Sequence, residues 1–180
     1  MDINKLFKTT ALCLALGGMG ISGAALANQA TLHITGTVKA SPCVIDTDDA
    51  NKTVPLGDIQ ASNLFADNSH SGWADFTITL KDCPAATNRV VATFSGTPAD
   101  ENPNMYKNDG DADSVQIELV DKAETLKLGK GATMKVEVGA ITPKQAIYNL
   151  RARAYSTAGN VTPGSISAAV TIGFVYEYEP

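Results

Sequence analysis

The sequence predicts a single all-β domain of sandwich type, and three observations carry that prediction. Apolar residues recur at every second position in one run after another, the mark of strands with one buried and one solvated face. Clusters of Asn, Asp, Gly and Pro separate those runs at short intervals, as at Asp109-Gly110, Ala158-Gly159-Asn160 and Thr162-Pro163-Gly164. No segment sustains a 3.6-residue period, and residues 58–68 have room for one helical turn at most. Many short strands in the roughly 150 residues from 28 to 180 point to two packed β-sheets.

The chain opens with residues that stand outside this pattern. Lys5 and Lys8 give a positive start, residues 11–21 form an apolar run, and Ala25-Leu26-Ala27 places small residues where a signal peptidase reads them. Residues 1–27 are therefore expected to be a removable signal peptide. The apolar run is too short for a membrane span, and no later segment reaches the roughly 18 apolar residues a spanning helix needs. Direct membrane insertion is not expected. Next comes an arm, residues 28–42. In it Ala30, Leu32, Ile34, Gly36 and Val38 alternate with Gln29, Thr31, His33, Thr35 and Thr37. This is a strand pattern placed ahead of the first cysteine of the mature chain. From the residues alone it is either the first strand of its own sandwich or a strand meant for another molecule.

Residues 43–180 carry the remaining runs. Phe76, Ile78 and Leu80 form the first, ending at Cys83-Pro84; Val90, Ala92 and Phe94 form the second. Val115, Ile117 and Leu119 alternate with Ser114, Gln116 and Glu118, which predicts a strand with a polar outer face. Met134, Val136 and Val138 make another run, as do Tyr148, Leu150, Ala152 and Ala154, with Arg151 and Arg153 opposite. The last run is the longest: Ile166, Ala168, Val170, Ile172, Phe174, Tyr176 and Tyr178. The acidic stretches 46–51 and 108–113 read as exposed loops.

Composition narrows the function. The formal net charge is −5, and removing Lys5, Lys8 and Asp2 with the leader makes it one unit more negative. No basic cluster is present to meet phosphates, so nucleic acid is not an expected partner. With the leader removed, Cys43 and Cys83 are the two cysteines left, and export to an oxidising compartment favours their pairing. That loop closure is worth about 4 kcal/mol in the chain-entropy model. Asp109, Asp111 and Asp113 have the spacing that opens a calcium loop. Ser114 stands where that loop needs glycine, though, and Val120 stands where it needs a closing acid. His33 lies in the arm and His70 is expected in a loop, and neither has a second ligand at zinc spacing. No nucleophile elbow appears. No catalytic residue, metal or cofactor is assigned, and the chain does not read as an enzyme. Asn51-Lys52-Thr53 and Asn160-Val161-Thr162 fit the glycosylation triplet, a pattern common by chance. Trp73 reads as a core or edge plug rather than a carbohydrate platform.

The order of these features resembles a known family. Leader, alternating arm with Gly36, Ser41-Pro42-Cys43, the run Val54-Pro55-Leu56-Gly57-Asp58, the strand from Phe76 to Cys83-Pro84 and a final strand beginning at Gly164 are similar to the pilins of the chaperone–usher pathway. Tyr106-Lys107-Asn108 followed by Val115-Gln116-Ile117-Glu118-Leu119 is similar to a minor subunit of type 1 fimbriae, the tip adaptor. The resemblance implies an incomplete immunoglobulin-like β-sandwich that lacks its seventh strand, with an N-terminal donor-strand arm. It implies a hydrophobic groove filled first by a periplasmic pilus chaperone and then, after passage through an outer-membrane usher, by the arm of a neighbouring fimbrial subunit. The donor residues would be Ala30, Leu32, Ile34, Gly36 and Val38. The groove edge would be Gly164, Ile166, Ala168, Val170, Ile172, Phe174 and Tyr176. Tyr178-Glu179-Pro180 run past the family's usual end. The implied location is the periplasm and then a surface fimbria. The rival readings are a major shaft subunit and, in another class, a secreted monomeric sandwich that binds a small ligand or glycan.

Overall fold

A computed structural model of the chain describes residues 30–38, 41–140 and 143–178. The expected signal peptide at 1–27, the first arm residues Asn28 and Gln29, and the terminal Glu179 and Pro180 lie outside the described residues. The chain falls into two units, one up to Thr37 and one from Val38 onward.

The described residues of the second unit form nine strands: β1 (Val44–Ile45), β2 (Ser69–His70), β3 (Ala74–Lys81), β4 (Thr87–Gly96), β5 (Tyr106–Lys107), β6 (Gln116–Asp121), β7 (Thr133–Glu137), β8 (Ala146–Ser156) and β9 (Val170–Tyr178). The expected helical turn is a short 3-10 segment at Ala61–Leu64. One sheet has the order β1-β3-β8-β6-β5, with β2 pairing one end of β8; the other has the order β7-β4-β9. Each pairing is antiparallel.

The inward faces meet in one core. Ile78 and Leu80 of β3, Tyr148 and Leu150 of β8 and Ile117 and Leu119 of β6 pack with Val90, Ala92 and Phe94 of β4. Two tyrosines tie polar tips into this apolar layer. The Tyr148 hydroxyl donates to the Val90 carbonyl at 2.8 Å, and Tyr106 donates to the Leu128 carbonyl at 2.7 Å. Such bonds remove the penalty of burying a phenol. Burial also pushes the Tyr106 hydroxyl up to about 12. A disulfide joins Cys43 to Cys83, next to the Val44–Lys81 pair of β1 and β3.

Three expectations need correction. The outer face of β6 is not solvated: Gln116, Glu118 and Val120 are all buried. Glu118 lies under Arg153, 2.7 Å from its Nε, with Lys127 at 3.5 Å, so charge pairing replaces water. The acidic stretch 46–51 is the largely exposed loop expected, tied to β3 where Asp49 Oδ2 accepts from Thr79 N–H at 2.7 Å and Asp46 N–H donates to Thr79 O at 3.0 Å. Asp46 also pairs with Lys81. His70 belongs to β2 rather than to a loop, its ring stacked on Tyr155 at 6.3 Å. Finally, the last run becomes a strand only from Val170. Trp73 is half-buried on the outer side, with the Arg153 guanidinium 4.0 Å over its ring.

Candidate functional site: the free edge of the last strand and the exposed arm

The geometry of β9 follows from how β4 shares its backbone groups. Phe94 N–H donates to Ala132 O at 3.0 Å, and Phe94 O accepts from Gly131 N–H at 2.7 Å. Both groups of Phe94 therefore point toward β7. Backbone groups alternate sides along a strand, so Thr93 and Ser95 face β9. Their register partners Gly173 and Thr171 face back. The residues between, Val170, Ile172, Phe174 and Tyr176, turn their N–H and C=O groups to the opposite edge. Among the described residues no strand pairs with that edge.

The same four residues point their side chains at the core. Together with Ile166 and Ala168 they pack against the buried cluster, yet every one of the six is only half-buried. The Phe174 ring lies 5.6 Å from that of Tyr148. Tyr176 carries its hydroxyl 3.4 Å from the Cys43 carbonyl. Burial raises its pKa, and the neighbouring Tyr178 adds to the rise. At this end of β9, Arg89 reaches Glu137 at 2.6 Å and Glu177 at 3.1 Å, bridging all three strands of the sheet. These groups are exposed enough that the bridge fixes geometry more than it adds stability.

Gly164 is explained by a close crossing. A Cβ there would fall 2.4 Å from Ala112 N and 2.6 Å from Asp111 C. Nothing in the periodicity places the partner loop at 108–113 in the site. The one signal it offered was a second glycine, Gly110, at the same crossing.

The arm is described from Ala30 to Val38 and has no regular secondary structure. Leu32, Ile34 and Val38 are 81, 85 and 98% exposed, and nothing lies within 4 Å of the Cβ position at Gly36. The alternation is present, but the strand it encodes is not formed. A single strand leaves its backbone unpaired and needs a ladder partner to persist.

This arrangement offers binding rather than bond chemistry. Asp109, Asp111 and Asp113 are exposed, and among the described residues no three metal-ligating side chains converge. His33 is an exposed arm residue, whereas His70 lies against Tyr155.

The comparisons with known proteins bear directly on an arm and an open edge. The fimbrial protein family matches residues 32–177. The uncharacterized fimbrial-like protein YdeR of Escherichia coli (strain K12) is 38% identical over 151 residues, covering 84% of this chain and 87% of that one. Protein FimG of the same strain is 36% identical over 166 residues, covering 92% and 93%. Among solved structures, the P pilus rod subunit PapA shares the fold with a TM-score of 0.63 at 19% identity, over 76% of this chain and 100% of that one. With a match that runs from the arm to the last strand, the chain belongs to the fimbrial protein family, structural subunits of surface fimbriae and not enzymes.

Proposed function

We propose that this subunit polymerises by donor-strand exchange: the free edge of β9 accepts the arm of one neighbour, and its own arm at 28–42 completes another. The sandwich is read as lacking its seventh strand, with residues 43–180 as the acceptor domain. One observation carries the reading: six inward apolar side chains, from Ile166 to Tyr176, stay half-buried along an edge that no described strand pairs. An exposed edge of this kind is a liability unless it is covered. An added strand satisfies it by backbone pairing, while alternate side chains seat in the groove.

The exposed arm supplies what such a strand needs. Burying Leu32, Ile34 and Val38 contributes about 1.5–3 kcal/mol each, before ordering costs. A ladder of backbone hydrogen bonds adds about 1 kcal/mol net apiece. The joint therefore dissociates slowly without a covalent bond. Gly36, with no side chain, fits where donor and groove approach most closely. Before assembly, a periplasmic chaperone covers the same edge, and an outer-membrane usher passes the subunit outward. Residues 1–27 direct the export that precedes both steps.

Within the fibre we assign the chain to a minor, adaptor-type position rather than the shaft. The support is the likeness of Tyr106-Lys107-Asn108 and Val115–Leu119 to the type 1 adaptor. Copy number on isolated fimbriae checks that assignment: a few copies per fibre are expected, and hundreds would make it a shaft subunit. Donor and acceptor roles are tested together by adding a synthetic peptide of residues 28–40 to the purified subunit–chaperone complex. Release of the chaperone and a stable subunit–peptide species are expected. If the peptide leaves the complex intact at any concentration, the proposal is wrong.

A further inference from the structure

β4 stops backing the last segment at the Gly96–Val170 pair, yet the apolar alternation continues upstream through Ala168 and Ile166. An extended segment with no partner on either side would not hold a defined edge. The loop at 108–113 takes over from β4. Ser165 and Ser167 have the same parity as Thr171 and Gly173, so their backbone groups face the backed side. Asp109 N–H donates to Ser167 O at 2.7 Å, and Ala112 N–H donates to Ser165 O at 3.1 Å.

The Asn108 carboxamide completes this surrogate ladder. Its Oδ1 accepts from Ser167 N–H at 2.8 Å and from Gly110 N–H at 3.0 Å. Its Nδ2 donates to Ala112 O at 2.8 Å and to Ser165 O at 3.3 Å. Ser165 Oγ donates to Asp111 Oδ2 at 2.9 Å and accepts from Asp111 N–H at 3.0 Å. The two backbones cross so closely that a Cβ on Gly110 would lie 2.2 Å from Ser165 O. Ile166, held between these contacts, is one of the residues that pack against both the main core and the smaller cluster around Leu64.

We propose that Asn108 is a positioning residue of the acceptor edge: by holding residues 165–168 extended where β4 no longer reaches, it lengthens the edge open to an incoming strand back to Ile166. The backbone groups of Ile166 and Ala168 then join those of Val170, Ile172, Phe174 and Tyr176 on one continuous line. This inference rests on the donor-strand reading and adds to it the length of the joint and the residue that sets that length.

Hydrogen–deuterium exchange on the chain refolded with excess synthetic peptide of residues 28–40 tests it. In the wild type the peptide is expected to slow exchange of the Ile166 and Ala168 amides as well as those of Ile172 and Phe174. In Asn108→Ala the upstream pair should exchange roughly tenfold faster or more in the complex, while the downstream pair stays protected. Asn108→Asp keeps the accepting oxygens but loses the Nδ2 bonds, and should show a smaller loss at the same two amides. It also keeps the test decisive should the alanine variant fail to fold. Equal upstream protection in wild type and variant overturns the role of Asn108, as does a wild-type complex protected only from Val170 onward. A peptide that slows no amide of β9 at all overturns the donor-strand reading, and this inference falls with it.

Discussion

β8 and β9 are written in the same code and end in different states. Along β8 the inward residues Ala146, Tyr148, Leu150, Ala152 and Ala154 are at most 6% exposed. Along β9, Val170, Ile172, Phe174 and Tyr176 alternate just as strictly, and none is fully buried. The difference lies in the neighbours. β8 has β3 on one side and β6 on the other, whereas β9 among the described residues pairs with β4 alone. Period-2 alternation encodes which face turns inward; it does not encode whether both edges are covered. A strand as apolar as β9 on an edge that no described strand covers is a liability unless something covers it, which is the ground of the donor-strand proposal.

The sharpest way to break this contrast is to spoil the strand offered to that edge. Ile34→Asp places a carboxylate where a groove needs a branched apolar chain, and burying an unpaired charge is prohibitive. Incorporation of the variant as a donor should be abolished, while its own β9 edge still accepts a wild-type arm. Fimbriae assembled from mixed variant and wild-type subunits show which half of the joint is lost. Normal polymerisation by the variant would remove the arm from the mechanism.

Next in size is the disulfide, which acts on the closed side of the comparison. Replacing Cys43 and Cys83 by Ser should cost about 4 kcal/mol by freeing the unfolded chain. The loss should be the same with and without a donor peptide, because the bridge constrains β1 and β3 rather than β9. A loss seen only in the donor-free subunit would mean that the bridge helps to shape the groove edge instead.

A pair of core truncations then measures the contrast itself. Leu150→Ala on β8 should cost about 2–5 kcal/mol whether or not a donor strand is present, because its site is already closed. Phe174→Ala on β9 should cost about half of a fully buried Phe, roughly 2 kcal/mol, while the edge is open. With donor peptide bound the cost should rise toward about 3–5 kcal/mol. Denaturant midpoints of the two variants, with and without peptide, give the four numbers. Equal peptide dependence for both would erase the distinction between the strands.

How much of this was legible beforehand depended on the range of the interactions. The six long strands, the single short helical turn and the alternating faces follow from periodicity and turn chemistry, both of them local. β6 defeated that reading because Arg153, Lys127 and Trp73 arrive from elsewhere to cover or brace its outer face. Periodicity predicts one strand from Ile166, whereas the first part of that run is backed by a loop, since β4 ends at Gly96. β1, β2 and β5, two residues each, left too few positions for a period to show. The sequence places Asn108 in an exposed loop and Ser165 at the start of the final strand, and only the crossing at Gly110 and Gly164 reveals what they hold.

The smallest effect is a titration, and it reads the two strands with the same side chain. Tyr148 on β8 is buried, and desolvation holds its hydroxyl well above the ordinary tyrosine value, with the nearby Tyr176 adding to the shift. Tyr176 on β9 is raised as well, first by its partial burial and then by Tyr178. A phenol whose folded pKa exceeds its unfolded value near 10 favours the fold fully below that pH and loses the contribution as pH rises through the folded pKa. Alkaline unfolding should therefore begin above about pH 10, and Tyr148→Phe should make it less steep. Donor peptide should leave Tyr148 where it is, already sealed by both sheets. It should move Tyr176 further up, because an added strand covers the side of the ring that water reaches now. Ultraviolet tyrosinate titration, with Tyr176→Phe to assign the step, separates the two. A Tyr176 step that ignores the peptide would mean that the donor passes elsewhere and that the half-buried face of β9 is simply a sheet margin.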